Sequence, residues 1–580
     1  MLDPAMWTHR TVGGRPALAA IVAASLAFGV PRCIDAASIT ESVRVRLILV
    51  DLSVLDKRGR PVFDLSQDDV QLLVDGNEVA IEGFALVGSQ TEGYRGEVLE
   101  EGGAERATRP GGEERGGRQV APLHSILYVD SYALDPLDRA RVLDDLKKFL
   151  EAEAGPSRRF MVANHERGLH VLTAFTASAE ELHAALESIA ERPAGGLNAA
   201  LAYRRALDEI ASAYEVAETT CPDPDPCACA WQQMLVTRDM YSAEIAGRQG
   251  RSHDALGELV RSLAGISGRK ALFYVSSGLA QYPGVELIRY MSDLCPNYER
   301  ELQSTLWRWD DTYALRELAS YANSVGATLF CVDAGGIRGD EGVDVSFGDF
   351  GLRPSTRVGE ARRRNLESSL FVLSELTGGE AIFNANDPSE ALRGIVGDLS
   401  RWYVLSFEPP GDPDDKAHSI QLKLRGARRS LELRYRKSFR YSSPDAEQVE
   451  GTLAALFWER SANPLAASIS FGTVRRVGGG KLEVPIKLVV PEAKVVRVGP
   501  NSPAWIHVTI AVHDLGTGAT EMRQEDLELA AHGEVDGTHT MTIALPLLAG
   551  DYRVAVGIRE ELSGDVTYLS ASSSFDQPED

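Results

Sequence analysis

The motif in this 580-residue chain that most suggests chemistry is a glutamate flanked by two histidines. Zinc peptidases bind Zn²⁺ through two histidines four residues apart on one helical face, and a glutamate between them acts as general base. His165 and His170 are instead five residues apart, and Gly168 between them indicates a hairpin rather than a helix. The spacing therefore argues against a metallopeptidase.

Ser276, Ser277 and Gly278 offer hydroxyl groups beside a flexible residue, which is the composition of some nucleophile-bearing turns. The sequence contains no Gly-x-Ser-x-Gly turn, and no histidine and acid stand in a recognisable order with these serines. It also lacks the glycine-rich loops that bind nucleoside triphosphates or dinucleotides. We therefore predict that the protein is not an enzyme and uses no nucleotide cofactor.

Four cysteines surround an acidic, proline-rich segment at about residues 218–232. Four thiols can bind zinc, but the Cys-x-Cys spacing and the prolines do not match the paired turns of structural zinc sites. Disulfides are favoured over metal, because an exported protein meets an oxidising compartment. The candidates for two disulfides are Cys221, Cys227, Cys229 and Cys295.

Composition narrows the range of partners. A hydrophobic fraction of 44% and a charged fraction of 25% are ordinary for globular proteins. The formal net charge is −24, which repels phosphate backbones and anionic lipid surfaces. Nucleic acid is therefore excluded as an expected partner.

The first residues are typical of an export signal. Arg10 and Arg15 precede the apolar stretch from Ala17 to Val30, and the small residues Ala36 and Ala37 follow. The alternative is an ordinary buried helix. We predict a signal peptide over residues 1–37, no transmembrane segment in the mature chain, and a periplasmic or secreted protein.

Residues 120–440 alternate between short apolar runs and amphipathic helical segments. Strands are predicted at 125–129, 270–275, 327–333 and 402–407, and helices at 136–152, 179–189 and 365–376. This alternation predicts an α/β domain with a mainly parallel sheet covered by helices on both faces.

Three flanking segments have a different composition. Residues 41–88 predict a small β-rich unit, and residues 89–119, which are rich in Gly, Glu and Arg, predict a flexible linker. From about residue 450 to 580, apolar runs separated by Gly and Pro predict an immunoglobulin-like β-sandwich.

Several of these segments resemble the bacterial VWFA-related family of exported proteins, which carry a von Willebrand factor A domain. The resemblance lies in Val50–Val54, Asp64–Ser66, Val74–Gly76, Leu376–Gly379 and Tyr403–Phe407, and it covers most of residues 41–440. It implies a Rossmann-like α/β domain, with ligands bound at the carboxyl ends of the strands.

The resemblance also implies a place for a metal-ion-dependent adhesion site, which in A domains consists of Asp-x-Ser-x-Ser, a Thr and a second Asp. Here Asp130 takes the first position, but Tyr132 and Leu134 replace the two serines. Leu197 replaces the Thr and Ser277 replaces the second Asp. One carboxylate is a weak cage for Mg²⁺, which requires octahedral oxygen coordination. We expect a degenerate site with no tightly bound metal, in which Asp130 is the one remaining candidate ligand.

The predicted function is recognition of a protein or surface polymer at this rim, without catalysis. The alternative is a structural scaffold of an envelope assembly with an inert rim. The predicted ligand-binding rim consists of Asp130, Ser131, Tyr132, Gly195, Asn198, Ser277 and Gly278.

Overall fold

The computed structural model describes residues 47–88, 123–156, 158–266, 268–299, 306–336, 354–385, 387–399, 401–458, 463–477, 480–499, 502–530 and 537–575. The predicted signal peptide (1–37) and linker (89–119) lie outside the described residues, so both stay predictions. In the described ranges, no helix is long and apolar enough to cross a membrane.

The first described range, residues 47–88, contains four short strands: β1 (Ile48–Leu55), β2 (Val70–Val74), β3 (Asn77–Val79) and β4 (Gly83–Gly88). Inward and outward side chains alternate along β1 and β2, as expected for strands with one buried face. These strands belong to two different sheets, and both sheets are completed by strands from far along the chain.

A six-stranded sheet forms the centre of the α/β region. Its strands are β5 (His124–Val129), β6 (Phe160–His165), β7 (Leu169–Val171), β8 (Lys270–Ser276), β9 (Ala327–Asp333) and β10 (Ala381–Ile382). The order across the sheet is β10-β9-β8-β5-β6-β7, and all neighbours are parallel except the β6–β7 hairpin. This confirms the predicted mixed α/β fold with a mostly parallel sheet.

In the described part of the α/β region, eight helices connect or flank these strands. They are α1 (Pro136–Glu153), α2 (Ala179–Glu191), α3 (Gly196–Thr220), α4 (Cys227–Ser262), α5 (Val285–Leu294), α6 (Thr312–Ser324), α7 (Thr356–Thr377) and α8 (Ser389–Asp398). Asp135 begins α1, because its carboxylate accepts hydrogen bonds from two backbone N–H groups of the first turn and Pro136 follows it.

The sheet is buried on both faces. Along β5, Ile126 and Tyr128 point to a core formed with α4, α6 and α7, whereas Leu127 and Val129 point to a core formed with α1, α2 and α8. Because both faces are covered, these strands are continuously apolar rather than alternating. The free thiol of Cys331 is buried in the first of these cores.

The segment predicted as an insertion at about 218–232 contains the end of α3, the short connection at 221–226 and the start of α4. These helices and α5 share a separate small core. Cys221 is bonded to Cys229, and Cys227 is bonded to Cys295. The first disulfide closes the turn between α3 and α4, and the second joins the start of α4 to the end of α5.

The predicted N-terminal unit (41–88) and the predicted α/β domain (120–440) share two sheets, because the strands that follow α8 pair with the N-terminal strands. The next strands are β11 (Arg401–Phe407), β12 (Ala417–Leu424), β13 (Glu432–Tyr435) and β14 (Ser438–Arg440). They do not continue the parallel sheet. Instead β11 lies between β1 and β4, and β12 lies between β2 and β14, all antiparallel. Residues 47–88 and 401–440 therefore form one two-sheet β unit around a shared core.

A helix that the sequence did not predict, α9 (Pro444–Phe457), leads into the C-terminal region. The residues described in this region form eight strands: β15 (Ser468–Phe471), β16 (Arg475–Val477), β17 (Lys481–Pro491), β18 (Ala504–Asp514), β19 (Thr520–Leu529), β20 (Thr538–Leu547), β21 (Gly550–Glu560) and β22 (Val566–Phe575). They form two four-stranded antiparallel sheets around one core, as a β-sandwich requires. Side chains of α9 also enter the core beside α4, which joins the sandwich to the α/β region.

Candidate functional site

The candidate site lies where three neighbouring parallel strands end. Val129, at the end of β5, is in register with Asn164 on β6 and with Val275 on β8. The next residues of the three strands, Asp130, His165 and Ser276, therefore meet at one edge of the sheet. This is the edge at which open α/β sheets bind their ligands.

Asp130 is the centre of a buried hydrogen-bond network. Nδ1 of His165 donates to one carboxylate oxygen at 2.9 Å, and the hydroxyl of Tyr274 donates to the other at 2.9 Å. The hydroxyls of Ser252 and Ser276 each lie 3.5 Å from the carboxylate. Asp130 and His165 are both fully buried. The carboxylate is therefore supplied with donors by the protein itself.

The network determines the charge of Asp130. Burial by itself raises the pKa of this carboxyl, but the hydrogen bonds, first that of His165 and then that of Tyr274, lower it below its ordinary value of 3.8. Burial and the nearby negative charge of Asp130 raise the pKa of Tyr274 well above its usual value. Asp130 therefore remains a carboxylate, and Tyr274 remains a neutral donor.

The loops beside Asp130 pack closely on one another. The hydroxyl of Ser131 donates to the side-chain oxygen of Asn164 at 2.6 Å, and that of Ser277 donates to the carbonyl of Ala133 at 2.7 Å. Gly195 lies so near the neighbouring loop that a Cβ there would be 2.4 Å from the carbonyl oxygen of Tyr132. A side chain at position 195 would force these loops apart.

The long helix α4 covers this edge. Nη2 of Arg248 donates to the carbonyl oxygens of Tyr132 at 3.1 Å and Gly195 at 2.8 Å. Nε of Arg251 donates to the Tyr132 hydroxyl at 2.8 Å, and Ser252 reaches the buried carboxylate below. The helix thus joins two of the loops to which the resemblance assigns metal ligands.

The residues of the predicted rim differ in their accessibility. Asp130, Ser131 and Gly278 are buried, whereas Tyr132, Gly195 and Ser277 are half-buried, and Asn198 is exposed on the first turn of α3. The structure brings the first six together at the strand ends. A partner approaching this edge would meet α4 and the start of α3 before it met Asp130.

The acid, histidine and serine at this site do not have the geometry of a catalytic triad. In a triad the acid holds Nδ1 of the histidine and the serine hydroxyl meets Nε2. Here Asp130 and Ser252 both approach Nδ1 of His165, at 2.9 and 3.5 Å. Within the described part of the chain Nε2 has no hydrogen-bond partner, and all three side chains are buried. The cluster therefore offers a structural network rather than an accessible nucleophile.

The donor set also does not fit a hard divalent cation. Both oxygens of the Asp130 carboxylate accept hydrogen bonds from protein groups, and the guanidinium of Arg248 contacts the loops where further ligands would stand. Mg²⁺ prefers several oxygen ligands and retains part of its water shell. To coordinate one here, Asp130 would have to release His165 or Tyr274, and a positive guanidinium would stand beside the ion.

Sequence reasoning missed several members of this network. In the sequence His165 stands out only as one of two histidines that lack zinc-site spacing, but its place at the end of β6, beside β5, is a signal that pairs it with Asp130. The same argument from strand register could have found Tyr274 and Ser276. Arg248 and Arg251 gave no such signal, because their position depends on how the α3–α4 pair folds back over the sheet.

No protein-family model and no curated protein matches the chain. Solved structures that align with it include an aerotolerance-related membrane protein from Bacteroides fragilis NCTC 9343, at 10% identity and TM-score 0.22, over 47% of this chain and 98% of the other. Another is the vWF domain of the type V pili tip protein Mfa5 from Porphyromonas gingivalis, at 12% identity and TM-score 0.22, over 51% of this chain and 99% of the other. A third is proximal thread matrix protein 1 from the mussel byssus, at 10% identity and TM-score 0.22, over 49% of this chain and 47% of the other.

Proposed function

We propose that this chain is an exported, non-enzymatic protein-binding module of the adhesion type, built on an α/β domain of the von Willebrand factor A class. The proposal rests on the carboxylate of Asp130, which is buried and accepts hydrogen bonds from His165 and Tyr274, so it is not free to bind a metal ion. In this proposal the partner is a protein or surface polymer, and it is bound without a metal ion.

The surface beside the rim supports recognition of a protein. Leu137 at the start of α1 is 83% exposed, and Leu197 and Leu201 at the start of α3 are 52% and 53% exposed. The two helix starts are adjacent, because a Cβ on Gly196 would lie 2.4 Å from the carbonyl carbon of Leu134. Leu197 and Leu201 are one helical turn apart and share a face of α3. Apolar side chains grouped on a surface are typical of protein-interaction sites.

The two disulfides support the proposed location outside the cytoplasm. Cys221–Cys229 and Cys227–Cys295 require an oxidising compartment in which to form and persist. A periplasmic or secreted protein meets this requirement.

The second candidate function is a structural scaffold of an envelope assembly. It is favoured by the burial of Asp130, Ser131 and Gly278, because an inert rim has no need of accessible groups. In that case the partners would dock on the helical or sandwich faces instead of the rim.

Crosslinking and affinity capture in the native cells, followed by mass spectrometry, would separate these functions. We expect the wild-type chain to capture a partner that the Leu197→Asp/Leu201→Asp double variant loses and that a chelator does not release. Leu548→Asp is the matched control, because Leu548 is 56% exposed in the C-terminal sandwich. Partners that the double variant retains in full would support the scaffold and contradict recognition at the rim.

A further inference from the structure

Two arginines of α4 lie over one aromatic ring at the rim. The guanidinium carbon of Arg248 is 4.4 Å from the centre of the Tyr132 ring, and that of Arg251 is 5.1 Å from it. Both nitrogens of Arg251 that face the ring hydrogen-bond its hydroxyl group. The two positive groups are therefore held around the same tyrosine.

The position of Arg248 is fixed from several directions. One of its terminal nitrogens donates to two backbone carbonyls, those of Tyr132 and Gly195. The helix that carries it is anchored next to it, because the side chain of Gln249 donates to the carbonyl of Ala280 at 2.7 Å. An arginine held in this way loses little conformational entropy when it binds an anion.

Neither Arg248 nor Arg251 forms an ion pair with a carboxylate among the residues that the structure describes. Many other arginines do, such as Arg205 with Glu244 at 3.0 Å. The acidic group beneath the pair, Asp130, is buried and committed to His165 and Tyr274. On α4 itself two acids lie one turn from the pair: Glu244, before Arg248, is ion-paired with Arg205, and Asp254, beyond Arg251, is exposed to solvent. Among the residues that the structure describes, Nε and Nη1 of Arg248 and Nη1 of Arg251 form no hydrogen bond, so both guanidinium groups keep unused donors.

We infer that Arg248 and Arg251 form a binding site for the carboxylate of an aspartate or glutamate side chain on a partner protein. The inference rests on the proposed protein-binding function and specifies the chemistry of its partner. A guanidinium offers a planar pair of N–H donors that matches the two oxygens of a carboxylate. Arg251 is exposed and keeps such a pair in Nη1 and the second hydrogen of Nη2, so it binds the two carboxylate oxygens. The half-buried Arg248, whose Nη2 is used by two backbone carbonyls, adds its positive charge nearer to Tyr132.

The charge of the whole chain makes this site selective. With a formal net charge of −24, the surface repels acidic segments almost everywhere. An acidic segment that binds nevertheless must find a local positive site, and complementary charge of this kind determines where a partner docks more than how tightly it binds.

The test uses the full chain and a fluorescently labelled oligoglutamate peptide, with binding followed by anisotropy at low ionic strength. An oligoglutamine peptide of equal length is the uncharged control. We expect oligoglutamate to bind and Arg251→Gln to weaken it about tenfold, the effect of losing one charge-assisted hydrogen-bonded contact. Arg251→Lys, which retains the charge but not the planar pair of donors, should recover part of the affinity. Arg475→Gln, which removes an exposed arginine from β16, should leave the affinity unchanged.

Three results would overturn the inference: oligoglutamate fails to bind, Arg251→Gln has no effect, or Arg475→Gln weakens binding as much as Arg251→Gln does. Free glutamate that competes as well as the peptide at equal carboxylate concentration would also contradict a protein partner. If oligoglutamate does not bind but a cellular partner is still captured through Leu197 and Leu201, this inference fails and the proposed function stands.

Discussion

Nδ1 of His165 donates a 2.9 Å hydrogen bond to the carboxylate of Asp130, and the two side chains are completely buried at the ends of adjacent strands. The hydroxyl of Tyr274 donates a hydrogen bond to the other carboxylate oxygen of Asp130 at 2.9 Å. Asp130 lies at the edge where α/β sheets bind ligands, but its hydrogen bonds connect β5 to the neighbouring strands β6 and β8. This relationship predicts that Asp130 contributes to folding rather than to coordination of a metal.

Replacing Asp130 with asparagine should destabilise the fold. Asparagine has one acceptor oxygen where the carboxylate has two, so either His165 or Tyr274 is left with a buried donor and no acceptor. We expect the free energy of unfolding to fall by about 2–4 kcal/mol, the cost of breaking a buried network at one member. Urea denaturation measures this change.

The control for this variant is Asp412→Asn, at an exposed position, which should alter the free energy of unfolding by less than about 0.5 kcal/mol. Because the pKa of Asp130 is lowered, its contribution is present above its unfolded pKa near 3.8 and is lost as the pH falls through the folded value. Equal effects of the two variants at neutral pH would show that the network does not stabilise the protein.

The sequence predicted the centre of the fold correctly because the signal there is local. Strands such as β5, β8 and β9 are continuous apolar runs, and the helices between them have an apolar face. Gly168 correctly indicated the turn between β6 and β7. Parallel strands buried on both faces leave a pattern that a single sequence can reveal.

Long-range pairing could not be predicted in the same way. Strand β11 has an apolar run like those of the core, yet Leu405 pairs with Val50, hundreds of residues earlier. Nothing in the local pattern distinguishes a strand that joins the parallel sheet from one that returns to the N-terminal unit. The position of Arg248 over Tyr132 was missed for a related reason, since it follows from the packing of α4 on the loops.

Magnesium should not bind tightly at this site. Both carboxylate oxygens of Asp130 are already hydrogen-bonded, and the positive charge of Arg248 stands over the adjoining loops. Titration calorimetry of the purified chain with Mg²⁺ or Mn²⁺ should show no micromolar site. Asp412→Ala serves as a control for binding at exposed carboxylates. Micromolar binding that Asp130→Ala abolishes and Asp412→Ala preserves would refute this prediction and restore the site to metal-dependent recognition.

The contact between α4 and the C-terminal sandwich should depend on pH. Glu258 on α4 faces Thr520 on β19, to which it is hydrogen-bonded, and lies 3.8 Å from His513 on β18. Burial raises the pKa of Glu258 to about 7. The hydrogen bond from Thr520 and then the charge of Arg261 lower the pKa by less, and the charge of Asp254 raises it further. Burial also lowers the pKa of His513 to about 4, so this histidine is neutral near pH 7.

A carboxyl whose pKa is raised on folding binds its proton more tightly in the folded state. The lowered pKa of His513 makes its own contribution to the free energy of unfolding rise between about pH 4 and pH 6.5. The contribution of Glu258 should instead fall as the pH rises from about 4.5 to about 7 and level off above that value. Glu258→Gln, which keeps an acceptor for Thr520, should remove up to about 3 kcal/mol of this dependence. Urea denaturation at several pH values measures it. The exposed Glu528→Gln should retain the wild-type profile, and a Glu258→Gln profile equal to that of wild type would contradict the prediction.

The N-terminal strands should be indispensable for the α/β region, because that region ends in strands that need them as partners. In one sheet β11 lies between β1 and β4, and in the other β12 pairs with β2. A chain that begins at residue 123 would expose Leu405, Phe407 and Leu422, which are otherwise buried. Each such side chain left in water costs about 1.5–3 kcal/mol.

We expect the chain that begins at residue 123 to aggregate, and one that begins at residue 47 to remain soluble and folded. Soluble yield and size-exclusion chromatography measure the difference. Co-expression of residues 47–88 as a separate peptide should restore soluble protein, since β1 and β4 can then pair on the two sides of β11. A monomeric, cooperatively unfolding fragment from residue 123 alone would mean that the strands of residues 401–440 do not require these partners. Because β11 has a neighbour on each side in the complete chain, supplying only residues 47–79, which lack β4, should restore less soluble protein than supplying residues 47–88.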